Sequence, residues 1–178
     1  VCRMRKTPVI IFINKMDREG KDAFDLLDEI ESKLSIKVKP MSWPIGIGAT
    51  FKGVYNMHKK ELNLFSGNKT SIEKEVYNLN GIQDPSLSDF IGEEATEVLK
   101  EEVELIDGVY GDLNQEKYLE GKVAPVFFGS ALNNFGVQEL LDSFIEVSPT
   151  PLGRNTESRS VEPNEEKFSG FVFKIHAN

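Results

Sequence analysis

The residues best suited to ligand chemistry form a short polar segment near the amino terminus, Asn14-Lys15-Met16-Asp17. The segment directly follows five apolar residues, 9–13, and ligands of open α/β sheets bind at the carboxyl ends of such strands. The Asp17 carboxylate can accept two neighbouring N–H groups at once, and guanine presents such a pair in N1–H and the 2-amino group. Adenine has no such pair, so this site would reject it. The segment predicts a guanine-reading loop, and the competing interpretation is an ordinary polar turn.

The other residues of this loop have expected roles of their own. Asn14 can donate to the base and tie the loop to neighbouring backbone. The aliphatic stem of Lys15 can lie over the ring of the base. Met16 is expected to contribute backbone groups only.

A second loop, Gly129-Ser130-Ala131-Leu132, has the same context, because it follows the apolar strand Val123–Phe128 and precedes an amphipathic helix. The Ala131 N–H could donate to guanine O6, and a small residue is needed there because the base approaches the backbone closely. The Ser130 hydroxyl would brace the loop. The first loop would bind N1–H and the 2-amino group, and the second would bind O6. Together the two loops favour guanine.

Strand-loop-helix units at both ends of residues 1–150 position these loops. The first joins strand 9–13 to a helix with one apolar face over 23–34, and the second joins Val123–Phe128 to a helix over 137–145. The expected fold class is therefore α/β, a sheet with helices on its faces. Strand 9–13 is apolar throughout, which is typical of a strand buried on both faces.

The region between, about 39–120, predicts an α+β insertion. Short strands are expected at 41–45, 51–57 and 61–65, and residues 66–84 predict a loop with a strand near 75–77. A long helix is expected over 87–106, with Ile91, Val98 and Leu105 on its apolar face, followed by a short helix at Gln115–Leu119. Beyond the insertion, residues 151–166 are rich in Pro, Ser, Asn and Glu and predict a linker. Alternating apolar residues over 168–176 predict a strand.

Composition excludes several classes of protein. The 178 residues carry a net charge of −8, which disfavours a general DNA-binding surface. Cys2 is the single cysteine, so no disulfide forms within the chain and a cytoplasmic location is expected. No apolar run reaches membrane-spanning length, so no membrane association is expected. His58 and His176 have no ligands at metal-binding spacing, and no metal site is expected.

Asn-Lys-x-Asp followed by Ser-Ala-Leu resembles the two base-reading motifs of the GTPase superfamily. Four longer segments, 41–48, 51–55, 127–137 and 168–175, are similar to bacterial class II peptide-chain release factors, which are translational GTPases. The resemblance covers nearly the whole chain. Elongation factor G is similar around Pro44-Ile45-Gly46 and Gly136-Val137, and matches less well at Trp43 and in the final segment.

The resemblance implies the carboxyl-terminal half of a P-loop-GTPase-type G domain. That half would span 1–150 with the insertion at about 39–120, then the linker at 151–166, and 167–178 would open a second, β-barrel domain. The phosphate-binding motif Gly-x-x-x-x-Gly-Lys-Ser/Thr is not in the sequence. It is expected to precede Val1, with the catalytic and Mg²⁺-binding residues. The chain alone is therefore expected to hold no catalytic residues, to be inactive, and to bind guanine nucleotides poorly.

The function implied for the whole protein is GTP hydrolysis on the ribosome, used to recycle class I release factors after termination. GTP, GDP and Mg²⁺ would be its cofactors. The base-reading residues carried over are Asn14, Lys15, Met16, Asp17, Ser130, Ala131 and Leu132. Two alternatives are a translocase like elongation factor G and a GTP-sensing module that does not hydrolyse the nucleotide.

Overall fold

The computed structural model describes residue 2, residues 7–68 and residues 71–176, with the side chains of all of these except 66–68 and 71–74. The chain divides into two compact units, Val1–Val147 and Ser148–Asn178. Within the described parts, none of the helices combines the length and the apolar character that crossing a bilayer requires.

The strands, in chain order, are β1 (Ile11–Ile13), β2 (Lys37–Pro40), β3 (Ser42–Ile45), β4 (Gly53–Asn56), β5 (Glu61–Asn68), β6 (Ser71–Asn78), β7 (Val123–Phe128), β8 (Arg154–Asn155) and β9 (Ser160–Val161). The helices are α1 (Ala23–Leu34), α2 (Leu87–Ile91), α3 (Glu93–Tyr110), α4 (Gln115–Leu119) and α5 (Val137–Val147), and a 3₁₀ turn covers Gly48–Thr50.

A parallel sheet with strand order β1-β7-β2 positions both predicted loops. Ile13 lies opposite Phe128, so β1 and β7 end side by side. The mixed α/β architecture with a parallel sheet agrees with the fold class expected from the sequence. The expectation that the first strand is buried on both faces is wrong. β1 covers only Ile11–Ile13 and is half-buried, because within the described residues it pairs with β7 alone.

Aromatic packing joins this sheet to its neighbours. Trp43 on β3 is 1% exposed, and its ring centroid lies 4.6 Å from that of Phe24 on α1 and 5.2 Å from that of Phe128 on β7. α1 begins at an Asp22 cap that accepts the Phe24 N–H at 2.8 Å. One core therefore holds α1, the parallel sheet and the first strand of the insertion.

The insertion contains a four-stranded antiparallel sheet, β3-β4-β5-β6. The loop predicted over 66–84 is wrong at its start, since β5 extends to Asn68 and β6 runs from Ser71 to Asn78, whereas the strand predicted near 75–77 is confirmed as part of β6. Lys69 and Thr70 lie outside the described residues. The polar composition of this segment suggested a loop. In the structure β5 pairs with β4 on one side and with β6 on the other, so antiparallel pairing continues into the polar segment.

The single helix predicted over 87–106 is two helices, because Gly92 lies between them with φ of 85°, a conformation that glycine adopts without strain. The apolar face predicted for this helix also differs from the face that the structure buries. Val98 and Leu105 are 49% and 54% exposed. The residues of α3 that are buried are Thr96, Leu99, Val103 and Ile106.

Glu102 gives α3 a pH-dependent contribution to stability. Burial raises the pKa of its carboxyl, opposed by the hydrogen bond from Trp43 Nε1 at 2.7 Å. The folded state then binds the proton more tightly than the unfolded state, so stability falls as pH rises above the ordinary value of 4.5 toward the folded pKa. We expect Glu102→Gln, which keeps an acceptor for Trp43, to melt higher than wild type at pH 7.

That advantage should vanish at about pH 4, where the carboxyl is protonated in both states. Thermal melts between pH 4 and pH 8 measure it. Glu101→Gln, at an exposed position on the same helix, is the matched control and should show no such trend. A Glu102→Gln variant less stable than wild type at pH 7 would contradict the burial argument.

The second unit contains a short antiparallel hairpin, in which Arg154 pairs with Val161 and Asn155 with Ser160. This hairpin lies inside the segment predicted as a linker. The strand predicted over 168–176 is not formed, since those residues have no regular secondary structure. An alternating pattern produces a strand only where a neighbouring strand supplies hydrogen bonds, and no described strand pairs with this segment. The domain boundaries stay a prediction.

Candidate guanine-binding site

Both predicted loops lie together at the carboxyl ends of β1 and β7. The Gly129 N–H donates to Ile13 O at 3.0 Å, and the Met16 N–H donates to Gly129 O at 3.0 Å. The parallel pairing thus continues past the strand ends into the loops. Met16 also has a buried side chain, 3% exposed, so it anchors its loop in the core as well as through the backbone.

Asn14 ties the two loops to each other. Its Oδ1 accepts the Lys15 N–H and the Ala131 N–H, each at 2.8 Å. Lys15 has φ of 70°, a left-handed conformation that costs a lysine about 1 kcal/mol and that the turn must hold in place. The carboxamide therefore does the bracing that the sequence predicted for Asn14.

This contact changes the donor expected for guanine O6. The Ala131 N–H, predicted for that role, already donates to Asn14. The next N–H in the loop, that of Leu132, makes no hydrogen bond within the described residues. Leu132 as a residue is 80% exposed. The structure offers the Leu132 N–H as the unengaged donor of this loop.

Asp17 has one occupied and one unoccupied carboxylate oxygen. Oδ2 accepts the Asn133 Nδ2–H at 2.9 Å. Oδ1 is buried and has no hydrogen-bond partner within the described structure. A buried carboxylate oxygen without a donor costs about 1–3 kcal/mol, so a ligand that brings N–H groups to it gains that energy on binding. This is the chemistry predicted for the guanine N1–H and 2-amino group.

Asn133 is a site residue that the sequence reasoning missed. It donates to Asp17 and its Nδ2 lies 3.4 Å from Ser130 Oγ, so it connects the two loops a second time. Ser130 is 1% exposed, and its backbone forms a two-way bridge with Phe135 at 2.9 Å in each direction. The bracing role expected of its hydroxyl stays a prediction. The available signal was an amide side chain close behind Ser-Ala, since such a residue can reach across a tight turn.

Gly129 allows the second loop to turn so closely. A Cβ placed there would lie 2.1 Å from Phe135 O and 2.9 Å from Phe12 Cζ. Those distances are shorter than van der Waals contact, so the Ser130–Phe135 bridge requires glycine at 129.

The arrangement supplies groups that suit a base. The described residues include no group of three side chains able to hold a metal. The groups that the two loops contain are the carboxylate acceptor of Asp17, the unengaged backbone N–H of Leu132 and the exposed side chain of Lys15. The site fits the base of a guanine nucleotide, and Mg²⁺ does not fit these residues.

The family model of the elongation factor Tu GTP binding domain matches residues 1–150, which include both loops and the whole insertion. The match indicates the GTP-binding domain of a translational GTPase, a class whose full-length members bind GTP and GDP with Mg²⁺ and hydrolyse GTP.

Proposed function

The chain belongs to the elongation factor Tu GTP-binding domain family, and from that membership we propose that it is the base-reading part of a GTPase that recycles class I release factors on the ribosome. The observation that carries the proposal is the buried, unpartnered Oδ1 of Asp17 at the carboxyl end of a parallel strand. Guanine N1–H and its 2-amino group are donors of the right kind for it.

In this proposal the base lies between the two loops. Asp17 accepts its N1–H and 2-amino group, and the Leu132 N–H donates to O6. Asn14 holds both loops at the separation that the base requires, and the stem of Lys15 covers one face of the ring. Asn133 keeps its hydrogen bond to Asp17 Oδ2, because a carboxylate oxygen has a second lone pair for the base.

Hydrolysis requires groups that this sequence does not contain. The 178 residues hold no Gly-x-x-x-x-Gly-Lys-Ser/Thr motif, and such a loop cradles the phosphates in P-loop GTPases. We propose that those groups belong to the rest of a longer protein, and that this chain alone binds GDP only weakly. When bound, Mg²⁺ supplies neutralisation of charge on the phosphates.

The release-factor role rests on the resemblance of segments 41–48 and 127–137. Both segments contact the site, since the Gly48 N–H donates to Met16 O at 2.9 Å and the second segment contains Ser130. We propose a cytoplasmic location for the protein, because ribosomes work there.

The test uses the full-length protein that carries this chain, with ribosomes stalled at a stop codon. We expect GTP to accelerate dissociation of a labelled class I release factor after peptide release, with ATP inactive. The same preparation is added to pre-translocation ribosomes. Movement of tRNA with no effect on release-factor dissociation would establish the translocase instead. Guanine-nucleotide binding without hydrolysis would establish the sensing module.

A further inference from the structure

We propose that the antiparallel sheet of the insertion holds the base-reading loops in their binding geometry, with Phe65 as a positioning residue for guanine recognition. The inference rests on the proposed function, because it names the support of that same site. It is carried by two separate connections between the insertion and the loops.

The first connection is an aromatic stack. Phe65, near the middle of β5, lies with its ring centroid 4.0 Å from that of Phe135 and an angle of 9° between the ring planes. Phe51 flanks this pair, with its centroid 6.2 Å from each of the two rings. Phe135 belongs to the second base-reading loop, whereas Phe51 and Phe65 belong to the insertion. The stack therefore packs the turn that follows this loop against the sheet.

The position of Phe135 determines the position of the residues that contact the base. Its backbone exchanges two hydrogen bonds with Ser130, each 2.9 Å long. The turn enclosed by that bridge carries Leu132 and also Asn133, which donates to Asp17. A shift of the Phe135 ring would therefore move the O6 donor and loosen the carboxylate that reads the 2-amino group.

The second connection reaches the first loop through the backbone. The Gly48 N–H, in the 3₁₀ turn between β3 and β4, donates to Met16 O at 2.9 Å. Phe51 closes that turn with a hydrogen bond from its N–H to Gly48 O at 3.2 Å. Gly48 has φ of 62°, and a Cβ there would lie 3.1–3.3 Å from Glu19, so the insertion approaches the first loop as closely as a glycine permits.

Both loops thus contact the insertion, one through β5 and the other through the turn between β3 and β4, and the coupling is reciprocal by linkage. A base bound between the loops holds Phe135 in its stack on Phe65. Conversely, a change in the insertion that displaces Phe65 lowers affinity for the base. The predicted loss of affinity concerns recognition of the guanine base, because the groups that bind the phosphates are proposed to lie outside this chain.

The test replaces single rings with leucine in the full-length protein that carries this chain. Phe65→Leu keeps apolar volume and removes the stack on Phe135. Phe90→Leu is the matched control, since Phe90 stacks on Tyr77 of the same sheet with the same centroid separation of 4.0 Å. Equilibrium binding of GDP and of inosine diphosphate, which lacks the 2-amino group, is measured for each, with melting temperatures alongside.

We expect Phe65→Leu to bind GDP about three- to tenfold more weakly, as loss of one aromatic stack predicts. We also expect a smaller penalty for inosine diphosphate relative to GDP than in wild type, because Asp17 is less well held. Phe90→Leu should leave both quantities within about twofold of wild type.

Equal binding by Phe65→Leu and Phe90→Leu, or an unchanged ratio of the two nucleotide affinities, would overturn the inference. If Phe65→Leu does not fold, Phe51→Leu replaces it, because Phe51 contacts the same pair at longer range. A wild-type protein that shows no preference for GDP over ATP would instead refute the proposed function, so the two failures are distinguishable.

Discussion

Asp17→Asn is expected to lower GDP affinity of the full-length protein about 10³-fold. The carboxylate is proposed to make two charge-assisted hydrogen bonds to guanine, each worth about 2 kcal/mol, and each 1.4 kcal/mol corresponds to a factor of ten. Asparagine presents one acceptor and one donor group in place of two acceptors. Its NH₂ group would face the 2-amino group of guanine without a hydrogen bond.

The same substitution should improve binding of xanthosine diphosphate, which carries a carbonyl where guanine has its amino group. A competition assay with labelled GDP against GTP, ATP and xanthosine diphosphate measures both changes. Asp28→Asn, an exposed aspartate in the middle of α1, is the matched control and should leave the order of affinities unchanged. If wild type and Asp17→Asn both fail to discriminate among bases, residues 14–17 form only a polar turn.

Gly129→Ala is expected to destabilise the fold by about 3 kcal/mol. The added Cβ would meet Phe135 O at 2.1 Å, and a backbone atom cannot rotate away as a side chain can. For a chain of this size, that loss lowers the melting temperature by about 10 °C. The Ser130–Phe135 bridge must open to relieve the clash, so GDP affinity should fall as well.

Gly108→Ala provides a control of opposite sign. Gly108 lies within α3 and a Cβ added there meets nothing within 4 Å. Alanine in a helix is favoured over glycine by about 1 kcal/mol, so this variant should melt slightly higher and bind GDP as wild type does. A Gly129→Ala protein as stable as Gly108→Ala would show that the loop tolerates a wider turn.

Hydrophobic periodicity and composition predicted the helix and the strand that flank the site. The apolar face of residues 23–34 predicted a helix, and the apolar run Val123–Phe128 predicted a buried strand, as the structure has them. β2 was missed, since Lys37 and Lys39 make it look polar. The structure buries Lys39 at 7% exposure, and burial lowers the pKa of its amine, partly offset by the charge of Asp107.

Whether a feature of the site could be predicted also depends on whether neighbouring or distant residues determine it. The loops at 14–17 and 130–132 could be predicted, because each directly follows its strand. The contact partners of Asn133 and Phe135 could not, since they depend on which side chains of another loop and of another sheet lie opposite. The Ala131 N–H shows the same limit. Its engagement by Asn14 joins residues 117 positions apart, a relation that no local pattern contains.

That separation has a consequence for how the protein is made. During synthesis from the amino terminus, residues 14–17 leave the ribosome long before Ala131 exists, and the helices and hairpins between them fold from local contacts. The pairing of β1 with β7 closes a loop of more than a hundred residues, which is among the slowest kinds of step in folding. The base-reading site is therefore assembled late, once β7 and the loop that follows it have been made.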